Sequence, residues 1–451
     1  MIKNQFKTIL VLIAIFLVIT SCRKSDIIID TNTSITDDGS GTGTTTWTND
    51  KEYILEGFVF VNPGQTLTIE PGTVIRAKTG QGENASALIV ARGAKIIAAG
   101  TLEEPIVFTV EGDDLEGSVP LEARGLWGGL IILGNAQLNS EFNESKIEGI
   151  PFSEPRGIYG GSVNNDNSGI LKYVSIRHGG TNIGADNEIN GLTLGGVGSG
   201  TTIEYVEVIS NQDDGFEFFG GTVNCKYLVS AFCGDDAFDF DEGYRGKGQF
   251  WIAIQAPSLG DNLAEHDGGT DPVYGEPYCI PEIYNATYIG NNTLHSSNLM
   301  VFSDDAGGKY YNSIFTYQSG GTKIEYIDGF NDSFHQFENE NLVLENNIFY
   351  NIEGNNNSLI LSAFSKASVD LTSQQSVLQN YLLSAGNEVI NPGIAITESD
   401  YNVVPTGNVE SNLAAYPDEW YDEVSYKGAI DPSGNNWLTG WTLLSESGKI
   451  L

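Results

Sequence analysis

The sequence predicts an all-β solenoid, a stack of short strand-bearing coils, and three observations lead there. The first is an internal repeat. The run T-I-E-Y-V-E-V-I-S-N-Q-D-D-G-F-E-F-F-G-G-T-V from Thr202 is answered by N-C-K-Y-L-V-S-A-F-C-G-D-D-A-F-D-F-D-E-G-Y. Tyr205, Asp213, Asp214, Phe216 and Glu217 recur as Tyr227, Asp235, Asp236, Phe238 and Asp239, each 22 positions further on. A unit that short cannot enclose a core and must bury its apolar face against copies of itself. The second is composition: 54 Gly against 14 Pro and 2 Met, with 18% charged residues, favours strands and tight turns over helical bundles. The third is length, since 451 residues suffice for one long solenoid.

The elements follow in order. Residues 1–22 read as a processing segment, with Lys3 and Lys7 ahead of the apolar run I-L-V-L-I-A-I-F-L-V-I-T (9–20), which is shorter than a membrane span. It ends in I-T-S-C, which resembles a bacterial lipobox with Cys22 as the lipidated first residue of the mature chain. Acyl chains there would anchor the protein to a membrane. Residues 23–50, including D-D-G-S-G-T-G-T-T-T, are low in bulky apolar residues and rich in Ser, Thr, Gly and Asp, and are expected to form a flexible tether. The coils are expected over 51–352, where short alternating strands such as G-Q-T-L-T-I-E and A-L-I-V-A-R-G are divided by Gly and Pro. Within them, 111–118 and 139–146 read as protruding loops, and 257–282 as a loop-rich insertion containing A-E-H-D-G-G-T-D-P. Over 353–451 the texture changes. Residues 371–387 show helical spacing between a Thr start and a Gly stop. The final block, with three of the six Trp, is expected to cap the exposed end of the sheet.

Aligning I-L-K-Y-V-S-I-R-H-G-G (170–180) with the central pair and Q-F-W-I-A-I (249–254) makes Tyr173, Tyr205, Tyr227 and Trp251 equivalent, and likewise Leu171, Ile203 and Cys225. Equivalent residues on successive coils stand about 4.8 Å apart and form ladders. The aromatic ladder reads either as core or as a ligand-stacking face for sugars, and aromatics in β folds are more often buried.

The sharpest candidate for chemistry is the acidic stack of Asp213 and Asp214 over Asp235 and Asp236, with Glu217 over Asp239 beside it. Carboxylates at coil spacing repel, and need water, a proton or a cation to neutralise them. Oxygen-only ligands favour a hard ion, so Ca²⁺ is the expected metal; the bland alternative is a solvated turn in which each Asp accepts backbone N–H bonds. D-F-D-E-G (239–243) is not an EF-hand, because position 12 would be Phe250. The four histidines, His178, His266, His295 and His335, show no zinc spacing. Beyond Cys22 the cysteines are Cys225, Cys233 and Cys279; Cys225 reads as core, and a Cys233–Cys279 pair stays open. The formal net charge of −37 argues against a nucleic-acid partner.

Taken together, G-Q-T-L-T-I-E-P-G-T-V-I, L-I-V-A-R-G-A-K-I-I-A-A-G-T-L-E-E-P-I-V-F-T, D-D-G-F-E-F-F-G-G-T-V and V-S-Y-K-G-A-I resemble a family of Bacteroidota envelope lipoproteins. The resemblance implies a right-handed, single-stranded parallel β-helix of pectate-lyase type, many of whose bearers have no assigned activity, and it transfers no catalytic residue. The Asp pair also resembles that of polygalacturonases, but no G-H-G or R-I-K accompanies it. The expected protein is an outer-membrane lipoprotein, facing the surface or the periplasm, that binds a glycan or another envelope component without catalysis. The alternative is a polysaccharide lyase or glycoside hydrolase using the acidic groove, with Arg245 and Lys247 as the only nearby basic candidates.

Overall fold

The computed structural model describes residues 33–184, 187–292, 297–327, 331–397 and 400–450. Cys22 and His295 lie outside the described residues. The chain winds as a right-handed parallel β-helix with three faces. One face is a ten-stranded parallel sheet running from Phe58–Val61 through Ala87–Val90, Leu130–Leu133, Leu192–Gly195, Phe216–Phe219, Phe238–Asp241, Glu265–Asp267, Met300–Ser303 and Thr322–Glu325 to Leu361–Phe364. The other two faces join into one sheet because three long strands, Gly169–Arg177, Thr202–Ile209 and Asn224–Ala231, cross the corner between them. The repeat register is met in both halves: Val206 pairs with Leu228 and Phe216 with Phe238, each 22 residues on. Leu171, Ile203 and Cys225 fall on one ladder, as their alignment requires.

The aromatic ladder turns out to be that corner. Tyr173, Tyr205 and Tyr227 have φ of +48°, +55° and +58°, a backbone region that bulky residues seldom enter. Their rings compensate by stacking, with centroids 4.4 Å apart from Tyr173 to Tyr205 and 4.2 Å from Tyr205 to Tyr227. The next member is Phe250, at 4.9 Å from Tyr227, followed by the positive-φ residues Asn285, Asn312 and Asn346. Trp251 is therefore not equivalent to the tyrosines, and its expected place on a ligand-stacking face is corrected. Pairing of Val229 with Ile252 sets it one position further on, where it points inward. It is wholly buried, donates Nε1–H to Cys225 O at 2.9 Å, and stacks 4.8 Å from Phe238. Inside the helix, Phe216 lies on Phe238 and Phe218 on Phe240, both at 5.3 Å, and the His266 ring sits between Phe240 and Phe302.

Three boundaries are corrected. The tether expected over 23–50 is, from Thr33, already coil: Thr33–Ile35 pairs with Glu52–Leu55, and Thr45–Trp47 with Thr66–Ile69. Buried Trp47 stacks on Tyr53 at 4.9 Å, and the Asn62 and Gln65 side chains donate back to Gly39 O and Ser40 O, which holds this first coil in place. The coils also continue past 352, since Leu361–Phe364 pairs with Thr322–Glu325 and Glu388–Val389 with Ile348–Tyr350. The expected helix, α2 (Thr372–Ser384, following α1 at Ser333–Glu338), buries Leu378 and Leu382 against the last coils. Within the supposed insertion, Glu265–Asp267 is a strand of the ten-stranded face.

The Trp-rich C-terminal block runs along the flank of the helix instead of covering its end. Trp437 and Trp441 set their ring edges against Tyr205, and both neighbouring tyrosines meet one of them. Arg177–Glu446, Lys226–Asp422 and Lys427–Glu388 ion pairs, all at 2.9 Å, tie this strap down. Buried Glu207 accepts Leu443 N–H at 2.8 Å, where α3 (Leu443–Glu446) begins. The rings of the strap pack edge-on against the stacked tyrosines of the corner. Cys225, Cys233 and Cys279 are all buried and free.

Candidate functional site

On each strand of the ten-stranded face, alternate residues point out, and following one outward position shows how the site arises. The ladder reads Ile89, Ile131, Thr193, Glu217, Asp239, Glu265, Val301 and Lys323. Its apolar first part is roofed by an insertion after Leu130–Leu133. There the hairpin Ser145–Lys146/Ile158–Tyr159 packs Ile147, Ile150 and Tyr159 onto Ile131, Leu133 and Ile189. The carboxylates begin where that roof ends, and the hairpin adds Glu148 to them. Asn190 Nδ2 donates to Glu148 at 3.0 Å and also to Glu217, and the two glutamates hydrogen-bond each other. The hairpin is braced from below by Tyr159 O–H donating to Glu242 at 2.6 Å. A second loop, 268–279, borders the far side, where Asn139 donates to Gly268 O and Thr270 to Asp241.

The Asp-Asp pairs lie at the turn leading into these strands, and the pair members differ. Asp214 and Asp236 are buried and act as rungs: Asp214 Oδ1 accepts Asp236 N–H at 2.8 Å, and Asp236 accepts the N–H of Asn262. Asp213 and Asp235 turn outward. D-D-G is required in the first pair, because a Cβ at Gly215 would meet Ser230 Oγ at 2.1 Å. Three trios bring one oxygen from each member within 4.8 Å of the others: Asp213–Asp214–Asp235, Asp214–Glu217–Asp239 and Asp235–Asp236–Asp261. The four aspartates singled out in the sequence thus divide between two adjoining trios. Either trio offers the hard oxygen donors that Ca²⁺ takes, and the bound ion would supply charge neutralisation there.

Burial governs the electrostatics. Asp213 is pushed up to about 7, first by desolvation and then by Glu148, Asp235 and Glu188. Asp214, Glu217, Asp236 and Asp239 are held well above the usual carboxylate range, again by burial first and then by one another or by Glu148 and Glu265. Asp267 and Glu242 reach about 7, both mainly through burial. Asp236 relieves part of the repulsion by hydrogen-bonding Glu265. Acceptors still outnumber donors: Asn190 Oδ1 and Asp239 Oδ1 are buried without a hydrogen-bond partner.

Neither basic candidate faces this surface. Arg245 turns to Gln137 and Asn164 beyond the next corner, and Lys247 pairs with Asp418 of the strap. His178 is a buried corner residue at φ +63°, bonded to Ala123 O. Tyr173, Tyr205 and Tyr227 are half-buried on another face, stacked on each other and edged by the strap. Sequence reasoning missed Glu148, Asn190, Asp261, Glu265 and Asp267. For two of these a signal existed, since E-H-D (265–267) repeats the pattern of E-F-F (217–219) and D-F-D (239–241).

A parallel β-helix bearing a ladder of carboxylates on one face, flanked by two insertions, is the class that fold and site define. The chain belongs to the family of pectate-lyase-like β-helix domains, whose family model matches residues 39–389. That match extends past 352, as the pairing of Glu388–Val389 does. No curated protein and no solved structure matches the chain.

Proposed function

We propose that the protein is an envelope-anchored, non-catalytic β-helix that binds a glycan in the groove formed by Glu148, Glu217, Asp239 and Glu265. The observation carrying this reading is the row of carboxylates that the strand register aligns along the solenoid axis. It is bordered by loops, on a fold whose family fits a glycan-related role. Anchoring through acylated Cys22 to the outer membrane, on its surface or periplasmic side, completes the reading. Asp213, Asp214 and Asp235 hold Ca²⁺ in it, with Asp236 and Asp261 as the adjoining donors.

Catalysis is the less supported alternative. A lyase needs a base near the reacting sugar carbon, and Arg245 and Lys247 are engaged elsewhere. An inverting hydrolase sets its carboxyls about 6.5–9.5 Å apart, wider than the roughly 4.8 Å between neighbours on adjacent coils, so only a diagonal pair such as Asp213 and Asp236 would serve it. Binding and turnover on a broad polysaccharide panel test the reading. Saturable binding with neither new reducing ends nor unsaturated uronates is expected; release of either product would replace it with the enzymatic alternative.

A further inference from the structure

We propose that the glycan is one of amino sugars, whose ammonium groups meet the groove carboxylates while a sugar ring lies against Phe142 and Phe152. This rests on the glycan-binding reading above and names its ligand class. The hairpin borders an open pocket of about 590 Å³ lined by Phe142, Lys146, Glu148, Ile150 and Phe152. Phe142 and Phe152 are 80% and 81% exposed, an arrangement that costs the folded chain apolar burial. The pocket opens onto the acidic ladder through Glu148, which bonds Glu217.

Two features select an ammonium. Lys146 Nζ lies 3.6 Å from the centroid of the Phe152 ring while donating to Phe152 O, so a primary amine is already accommodated at this ring. Beside it, Asn190 is 1% exposed and spends its amide N–H groups on Glu148 and Glu217, while its Oδ1 has no partner. The junction of hairpin and ladder is therefore short of donors, and an ammonium brings three with a positive charge. A polyuronate would instead add like charge to a chain of net charge −37. A single Ca²⁺ in the Asp213 trio leaves the Glu217, Asp239 and Glu265 ladder to be met by the ligand.

Calorimetric titration of the full chain tests this with three probes at matched ionic strength: a fully deacetylated glucosamine hexamer, its N-acetylated counterpart and oligolysine. The deacetylated hexamer is expected to bind at least tenfold more tightly than the N-acetylated one. Glu148→Gln and Phe152→Ala, both at exposed positions, should each weaken it about tenfold. Lys146→Met should strengthen it severalfold by vacating the ring. Equal affinity for the two hexamers would overturn the amine requirement and leave glycan binding standing. No binding by any member of the polysaccharide panel would overturn both. Oligolysine binding more tightly than the glucosamine hexamer would overturn the glycan as occupant.

Discussion

Replacing Asp213 by Asn should change how stability depends on pH, and the structure sets the direction and size. The Asp213 carboxyl rises from 3.8 to about 7 on folding, through burial and neighbouring carboxylates. A carboxyl raised in this way is still protonated in the folded chain when the unfolded chain has released its proton. Between about pH 4 and 7 the folded state therefore binds more protons, and stability falls as pH rises. Three pH units correspond to about 4 kcal/mol, and partial solvent access at the rim reduces that to about 2. Asp213→Asn removes the titration but keeps the shape. Urea unfolding should find variant and wild type equally stable near pH 4, and the variant about 2 kcal/mol more stable near pH 8 in chelator. Millimolar Ca²⁺ should then rescue wild type alone, by about 2.7 kcal/mol at a hundredfold excess over the dissociation constant. A difference between the two chains that stays constant with pH would refute the buried-carboxylate argument. Identical wild-type curves in chelator and Ca²⁺ would refute the cation.

Two further outcomes are expected. Cys22→Ala should move the protein from the membrane fraction to the soluble one, and retention in the membrane fraction would dispose of the lipid anchor. Trp251→Ala, which empties a site among Phe218, Phe238 and Phe240, should cost about 3–5 kcal/mol while leaving the affinity of the folded variant for any glycan unchanged; a selective loss of binding would return Trp251 to the ligand face.

The fold was legible because two adjacent coils happen to have equal length. From Thr202 to Tyr244 no turn carries an insertion, so Asp213 and Asp235, or Phe216 and Phe238, keep one offset that a reader can count. The next outward step, Asp239 to Glu265, spans 26 residues, so in the sequence alone E-H-D reads as loop. The Trp251 misplacement has a related cause: both Phe250 and Trp251 are aromatic, and only strand pairing reveals which one turns the corner. Glu148 could not be found by periodicity at all. It enters the site from a hairpin that pairs with no coil, carried there by the packing of Ile147, Ile150 and Tyr159.

The same alternation explains how so many carboxylates survive in register. A row of partly buried acids opposes folding, and strands free to slip would relieve the repulsion by changing partners. Here slippage is blocked from the other side of the strand. Phe216 and Phe218 flank Glu217 and stack inward on Phe238 and Phe240, which flank Asp239 in turn. A shift by one residue would turn those rings to water and the acids into the core. Each buried ring is worth about 1.5–3 kcal/mol, and four of them oppose the repulsion of the ladder they hold. The aromatic core thus fixes the carboxylates before any cation or ligand arrives, and binding there has little reorganisation to overcome.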